Sequence, residues 1–275
     1  MFQIAATTAL AEKKNLACCF PNYLQHLDYM NSRWSLQYNK QMSQNFINNA
    51  KEYKSFMNID YTTSFPKHQI MMYNYPFHYV DFIPKNNEFA VDGYFQSEKY
   101  FANIRGKILN TFMLSEEQEH NMLDKYKGII KQKTVSIHIR RGDYLRYTQN
   151  HPILPIDYYE KALLKVGDYE RCLVFSDDIK RAKKIRAFKN FDVKFITNEP
   201  EYIDLFLMSL CNDNAIANSS FSWWGAWLNK NNNKNVYYPE TWFGPSKNEF
   251  DIKDLIPKDW IKVESRAKKN KIFRF

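Results

Sequence analysis

Three short runs of the 275-residue chain combine residue types that can do chemistry. The densest is Val135-Ser136-Ile137-His138-Ile139-Arg140-Arg141-Gly142-Asp143-Tyr144. Strand alternation sets Ile137 and Ile139 on one face and His138 and Arg140 on the other, and turns Arg141-Gly142-Asp143 out at the carboxyl end. An arginine fork there suits phosphate oxygens bidentately, His138 adds a second donor, and Asp143 either fixes an arginine or meets a sugar hydroxyl. The plainer alternative is an Arg–Asp pair that ties down a loop. The second run, Asn218-Ser219-Ser220-Phe221-Ser222-Trp223-Trp224-Gly225-Ala226-Trp227, follows the strand Ala215-Ile216-Ala217. Ser219 and Ser220 sit where a helix N-cap belongs, so amides, hydroxyls and the helix dipole build a seat for an anion. The plainer alternative is a serine cap on a buried helix, and at least one of Trp223, Trp224 and Trp227 is expected in the core either way. The third run, Phe175-Ser176-Asp177-Asp178, also ends a strand. Its carboxylates can bind a metal, grip ribose or base edges, or cap a helix from Ile179, and one of them is expected to cap.

The remaining histidines, His26, His68, His78, His120 and His151, stand alone in the sequence and read as surface or packing residues. There is no P-loop, no Gly-x-Gly-x-x-Gly and no nucleophile elbow, so hydride transfer, kinase-type phosphoryl transfer and serine hydrolysis lose their usual support. With no other tight carboxylate cluster and no Asp-x-Asp pair, metal independence is expected.

The elements that must position these runs form a regular alternation from residue 134 onward. Strands are predicted at 134–139, 172–176, 192–197, 214–217 and 235–238, and helices at 157–166, 179–188, 201–211 and 221–229. Such a series predicts a parallel sheet with helices on both faces and ligands beyond the carboxyl ends of its strands. A lobe boundary is expected at 131–133. Upstream, a small-residue helix over 2–14, a strand over 89–95 and a helix from Ser97 to about Phe112 are predicted. Ser115-Glu116-Glu117-Gln118 reads as a capping box opening a helix to about Lys131. Between 20 and 88 the aromatic, Asn-rich sequence supports only short elements.

Composition narrows the partners. Thirty-nine Lys and Arg against 30 Asp and Glu give +9, which favours anionic ligands or surfaces, and 17% aromatics suit stacking on sugars or bases. The basic residues are dispersed rather than striped with aromatics, which argues against a nucleic-acid-binding role. Cys18, Cys19, Cys172 and Cys211 make no Cys-x-x-Cys pair, so a reducing, cytoplasmic setting is expected. No long uncharged apolar run is present and no signal peptide is expected. The tail Lys268-Lys269-Asn270-Lys271, with Phe273 and Phe275, reads as solvated, with peripheral contact at the inner face of a membrane as the alternative.

Four runs in order, Asp92-Gly93-Tyr94-Phe95-Gln96-Ser97-Glu98-Lys99-Tyr100-Phe101, His138 to Tyr144, Phe175 to Asp178, and Ala217 to Trp227, together resemble the α-1,2-fucosyltransferases of glycosyltransferase family 11. The resemblance covers most of the chain and weakens between about 20 and 88. It implies an α/β, GT-B-like fold of two Rossmann-type lobes: residues 1–131 on the acceptor side and 132–275 binding the GDP-sugar. It also implies transfer of L-fucose from GDP-β-L-fucose to the 2-hydroxyl of a terminal galactose, with inversion and without a cofactor. Arg140 would then hold the diphosphate beside His138 and Arg141. Ser219, Ser220 and Phe221 would line the phosphate side, and Asp177 or Asp178 the guanosine. Asp143 and Glu98 are the candidate bases.

Family members carry a strand and a Gly-Gly-Leu-Gly-Asn-Gln segment before Met-Phe-Gln, whereas here Met1-Phe2-Gln3 opens the sequence. An N-terminal lobe lacking its first strand is therefore expected. The alternative function is a catalytically weak GDP-sugar- or glycan-binding protein.

Overall fold

The structure is a computed structural model that describes residues 1–18, 20, 69–71, 77–85, 87 and 89–265. His26, His68, Cys19 and the basic tail from Lys268 lie outside the described residues. The chain divides into two compact units, Met1–His120 with Phe250–Lys258, and Asn121–Glu249 with Asp259–Phe275.

The first unit begins with α1, Phe2–Lys13. Its small residues Ala5, Ala6 and Ala9 are buried beside Phe2, Ile4 and Leu10. Strands β1, Gln69–Met71, and β2, Ala90–Asp92, form a parallel pair with Gln69 opposite Ala90. The strand expected over 89–95 is thus shorter than its apolar pattern. Gly93 turns its carbonyl to Gln3 Nε2 at 3.0 Å, and Phe95 takes a left-handed φ of 51°, which a strand cannot accommodate. The helix expected from Ser97 to Phe112 is likewise broken into two short 3₁₀ turns, Glu98–Tyr100 and Ala102–Ile104, before α2, Arg105–Thr111. Aromatic contacts knit this unit, among them Phe2 with Phe101 and an edge-on Phe95–Tyr100 pair. Helix α3, Glu116–Ile130, starts here and continues into the second unit. Its capping box closes as the sequence predicts: Gln118 N donates to Ser115 Oγ at 3.2 Å, and Ser115 N to Gln118 Oε1 at 3.1 Å.

The second unit is a six-stranded parallel sheet: β3 Thr134–Ile139, β4 Arg171–Ser176, β5 Asp192–Phe195, β6 Asp213–Ala215, β7 Val236–Pro239 and β8 Ile261–Val263. The spatial order is β5-β4-β3-β6-β7-β8, so the chain winds outward from β3 in one direction and then, from β6, in the other. The α/β class expected from the sequence is therefore present. On one face, Val135, Ile137, Ile139, Cys172, Val174 and Ala215 pack with α4, Ile156–Val166. On the other, Asn214 joins Ser136 to the Met208 carbonyl of α6, Glu201–Leu210, through bonds of 2.6 and 2.7 Å. Helix α7 is Ser220–Leu228.

Between β4 and β5 the predicted ten-residue helix shrinks to one turn, α5, Ile179–Ala182, followed by a 3₁₀ stretch at Arg186–Asn190. Lys180, Arg181, Lys183, Lys184 and Arg186 would stack like charges at three- and four-residue spacings in a continuous helix.

Candidate active site

In a doubly wound sheet a ligand crevice opens where successive connections leave in opposite directions. Here that point lies between the carboxyl ends of β3 and β6, which are paired neighbours. The residues that follow these two strands are Arg140 to Tyr144 and Ile216 to Ser222, the first two chemical runs of the sequence.

All six residues of β3 are buried, because a central parallel strand is covered on both faces. His138, only 5% exposed, points away from the Ile137 and Ile139 face, and its ring lies 5.4 Å from that of Phe221. Burial first, and Arg140 second, lower its basicity to about 3, so the imidazole is neutral. Its Nδ1 has no hydrogen-bond partner.

Arg140 is held between two carboxylates. Its Nη2 lies 2.7 Å from Asp143 Oδ1, an approach too oblique to count as a hydrogen bond, and its Nη1 lies 3.1 Å from Asp177 Oδ2. The loop-tying reading of the Arg–Asp pair is thus realised, and Asp177 takes part in it. Asp177 also accepts from the Arg141 amide at 2.8 Å, while Arg141 Nε donates to Asp178 Oδ2 at 3.1 Å. The other oxygen of Asp178 caps α5, accepting from Arg181 N at 3.0 Å, so the capping carboxylate is Asp178. Burial works against that charge, but the Arg181 amide and Arg141 outweigh it and hold the carboxyl below its ordinary range. Gly142 permits the arrangement: a Cβ there would lie 2.7 Å from Asp177 Oδ2.

Ser219 is the N-cap of α7, in extended conformation, its Oγ accepting from Phe221 N at 3.3 Å. Ser220, exposed, opens the helix, and Phe221 contributes the second residue. Ser222 Oγ accepts from Ala217 N at 3.2 Å and so stitches the helix to the strand end. Trp223, Trp224 and Trp227 are all at most 2% exposed and in mutual ring contact, with Trp260 against Trp223. The core expectation therefore holds for all three tryptophans, and within α7 only Ser220 is exposed and Phe221 half-buried. Gly225 lets α7 approach α6, since a Cβ would meet Met208 Cβ at 2.9 Å.

The two loops are joined by a residue the sequence reading left without a role. Tyr144 donates its hydroxyl to the Asn218 carbonyl at 2.9 Å, and its ring centroid lies 5.6 Å from the Arg140 guanidinium carbon. Burial chiefly pushes its phenol up to about 12, so it remains a donor. Thus His138, Arg140, Arg141, Asp143, Asp177, Asp178, Ser219, Ser220 and Phe221 all belong to the second unit and stand at or just beyond the carboxyl ends of β3, β4 and β6. Glu98 belongs to the first unit, in the 3₁₀ turn after the Ser97 cap. His151, read from the sequence as a surface or packing residue, stacks on Tyr144 with centroids 4.9 Å apart, and Lys247 Nζ lies 3.3 Å from His151 Nε2. No local pattern links residues 96 positions apart.

Residues 36–264 match Glycosyl transferase family 11. Among curated relatives, the O-antigen biosynthesis glycosyltransferase WbnK of Escherichia coli is 40% identical over 185 residues, covering 62% of this chain and 61% of that protein. An alpha-1,2-colitosyltransferase of Escherichia coli is 32% identical over 182 residues, with the same coverage of 62% and 61%. The chain therefore matches about 61% of the length of these relatives. Similar solved structures include POFUT1 in complex with GDP, at 12% identity, 55% and 54% coverage and a TM-score of 0.41. NodZ alpha-1,6-fucosyltransferase co-crystallized with GDP aligns at 14% identity, 53% and 52% coverage and a TM-score of 0.39.

Proposed function

The chain belongs to glycosyl transferase family 11, and from that premise we propose that it transfers L-fucose from GDP-β-L-fucose to the 2-hydroxyl of a terminal galactose, with inversion. The observation that carries this reading is that Tyr144, under the Arg140 guanidinium, is bonded to the Asn218 carbonyl just before the capped start of α7, at the point where the sheet's winding reverses. A departing nucleoside diphosphate develops negative charge, and a guanidinium beside oriented helix amides stabilises it with groups already in place. In this scheme Arg140 acts on the diphosphate, with Arg141 and neutral His138 beside it. Ser219, Ser220 and Phe221 line the phosphate side, and no divalent ion is required.

Asp177 and Asp178 keep the guanosine-side role as part of the proposal. Their carboxylates engage Arg140, Arg141 and the start of α5, so their first effect is to orient those groups. Inversion requires a proton acceptor on the sugar face opposite the diphosphate. Asp143, which lies against Arg140, and Glu98 are the candidate acceptors. Residues 1–131 are assigned the acceptor side, 132–275 the GDP-sugar, and the reducing cytoplasm is the proposed setting. Among the described residues no helix is long and apolar enough to cross a membrane.

The α-1,2 linkage in the name of one relative supports the linkage, and its sugar, colitose, marks the donor sugar as the point to test. Incubation with GDP-fucose and a panel of galactosides, followed by linkage analysis, is expected to give an α-1,2-fucosylated product. Binding of GDP-fucose without acceptor-dependent release of GDP would overturn the transferase reading in favour of a binding protein.

A further inference from the structure

Resting on that reading, the charges around Arg140 raise a question of balance. One guanidinium faces two carboxylates there, Asp143 and Asp177, and both neighbouring imidazoles are neutral. A diphosphate brought to this place meets more negative than positive charge, before the partial charge of the α7 start is counted.

Arg141 is matched by Asp178, and a further cation, Lys247, stands beside His151. It stands in the short turn Pro245–Lys247, and that turn is fastened to the segment carrying His151. Gly244 N donates to Asn150 O at 2.9 Å, and Ser246 donates to Gln149 O from both its amide, at 3.0 Å, and its hydroxyl, at 2.7 Å. The backbones meet so closely that a Cβ on Gly244 would lie 2.3 Å from Gln149 O. Lys247 Nζ reaches His151 Nε2 at 3.3 Å, and an ammonium has only donors, so Nε2 accepts and the proton of the neutral ring sits on Nδ1. That Nδ1–H is buried and has no partner. The ring rests on Tyr144, the residue that links Arg140 to the start of α7, and it feels Lys247, Asp143 and Arg140 electrostatically.

We propose that Lys247 and His151 form a second anion-holding arm of the donor site, directed at the diphosphate of a nucleoside-diphosphate sugar. Lys247 supplies the missing positive charge. Through its contact with Nε2 it also fixes the tautomer in which His151 presents a neutral Nδ1–H to a phosphate oxygen. The arm recognises phosphate and is indifferent to the base.

The test compares binding of guanosine, GMP and GDP to the full chain by calorimetry, with melting temperatures recorded alongside. Lys247→Met is expected to weaken GDP about tenfold, the scale of one charge-assisted hydrogen bond, and to leave guanosine unchanged. Lys247→Arg restores most of the loss. His151→Asn, which keeps an N–H near the Nδ1 position, binds GDP better than His151→Ala. A second measurement uses the unsubstituted protein: GDP, and not guanosine, shields Lys247 from an amine-acylating reagent read by mass spectrometry. The inference is overturned if Lys247→Met binds GDP normally, if GDP and guanosine weaken by the same factor, or if Lys247 acylates equally with and without GDP. An unsubstituted chain that binds no GDP would overturn the donor reading itself, and this arm with it.

Discussion

The two rims of the candidate site, at the ends of β3 and β6, offer an anion different physics. The β3 rim carries full charges on long side chains, and it holds them in place by spending each against another: Arg140 with Asp143 and Asp177, Arg141 with Asp178. The β6 rim carries no formal charge. Its donors are backbone amides oriented by the Ser219 cap and by a helix whose tryptophans are locked in the core. A charged rim can rearrange when an anion arrives, whereas the helix start is set in advance and needs no reorganisation. The pairing teaches that strong but adjustable charge and weak but fixed dipoles are complementary ways to receive an anion.

Substitutions on each rim separate these contributions. The largest effect is expected for Arg140→Ala, which should lower GDP-fucose-dependent turnover at least about a hundredfold, the scale for one charge-stabilising donor. A loss under tenfold in steady-state assays would move the main electrostatic role to the helix rim. Next is Gly225→Ala, whose methyl presses on Met208 and should cost about 2 kcal/mol of stability, read as a lowered melting temperature. Unchanged melting would show that α7 is free to slide and that its donors are not preset.

His138→Gln tests the charged rim through pH. A histidine held near pKa 3 when folded and near 6.5 when unfolded takes up its proton only on unfolding between those values. Its contribution is therefore complete above pH 6.5 and drains away as pH falls toward 3, by about 1.4 kcal/mol per pH unit. The variant should flatten the acid side of a melting-temperature profile between pH 6.5 and 4.5. A profile parallel to that of the unsubstituted protein would place the imidazole in water. The smallest effect is expected for Ser219→Ala, about 1 kcal/mol of stability for a lost cap, with GDP binding weakened only a few-fold. An effect as large as that of Arg140→Ala would erase the distinction between the rims.

How much of this was legible in the sequence depended on which interactions decide each element. Strand β3 lies where its apolar run puts it, residues 134–139, because a central parallel strand is fixed by burial on both faces. The same holds within a residue or two for β4, α4, α6 and α7. Strand β8 went unseen: Ile261-Lys262-Val263 is too short to stand out from its surroundings. In the first unit, ring packing and the left-handed Phe95 set the chain path, and neither leaves a periodic trace. At the site, His138, Arg140, Asp143, Ser219 and Ser220 announced themselves by clustering along the chain. His151 and Lys247 lie 96 positions apart, and bonds between residues 149–150 and 244–246 bring them together, which no local pattern announces.

The hydrogen bond from Tyr144 to the Asn218 carbonyl has a mechanical consequence. It fastens the loop after the first strand of the winding to the loop after the fourth, directly across the line where the sheet's connectivity reverses. A displacement of either loop drags the other along, so the gap between guanidinium and helix amides keeps its width while the loops fluctuate. Severing this tether with Phe at 144 would let the two walls breathe independently while leaving every charged group in the molecule untouched.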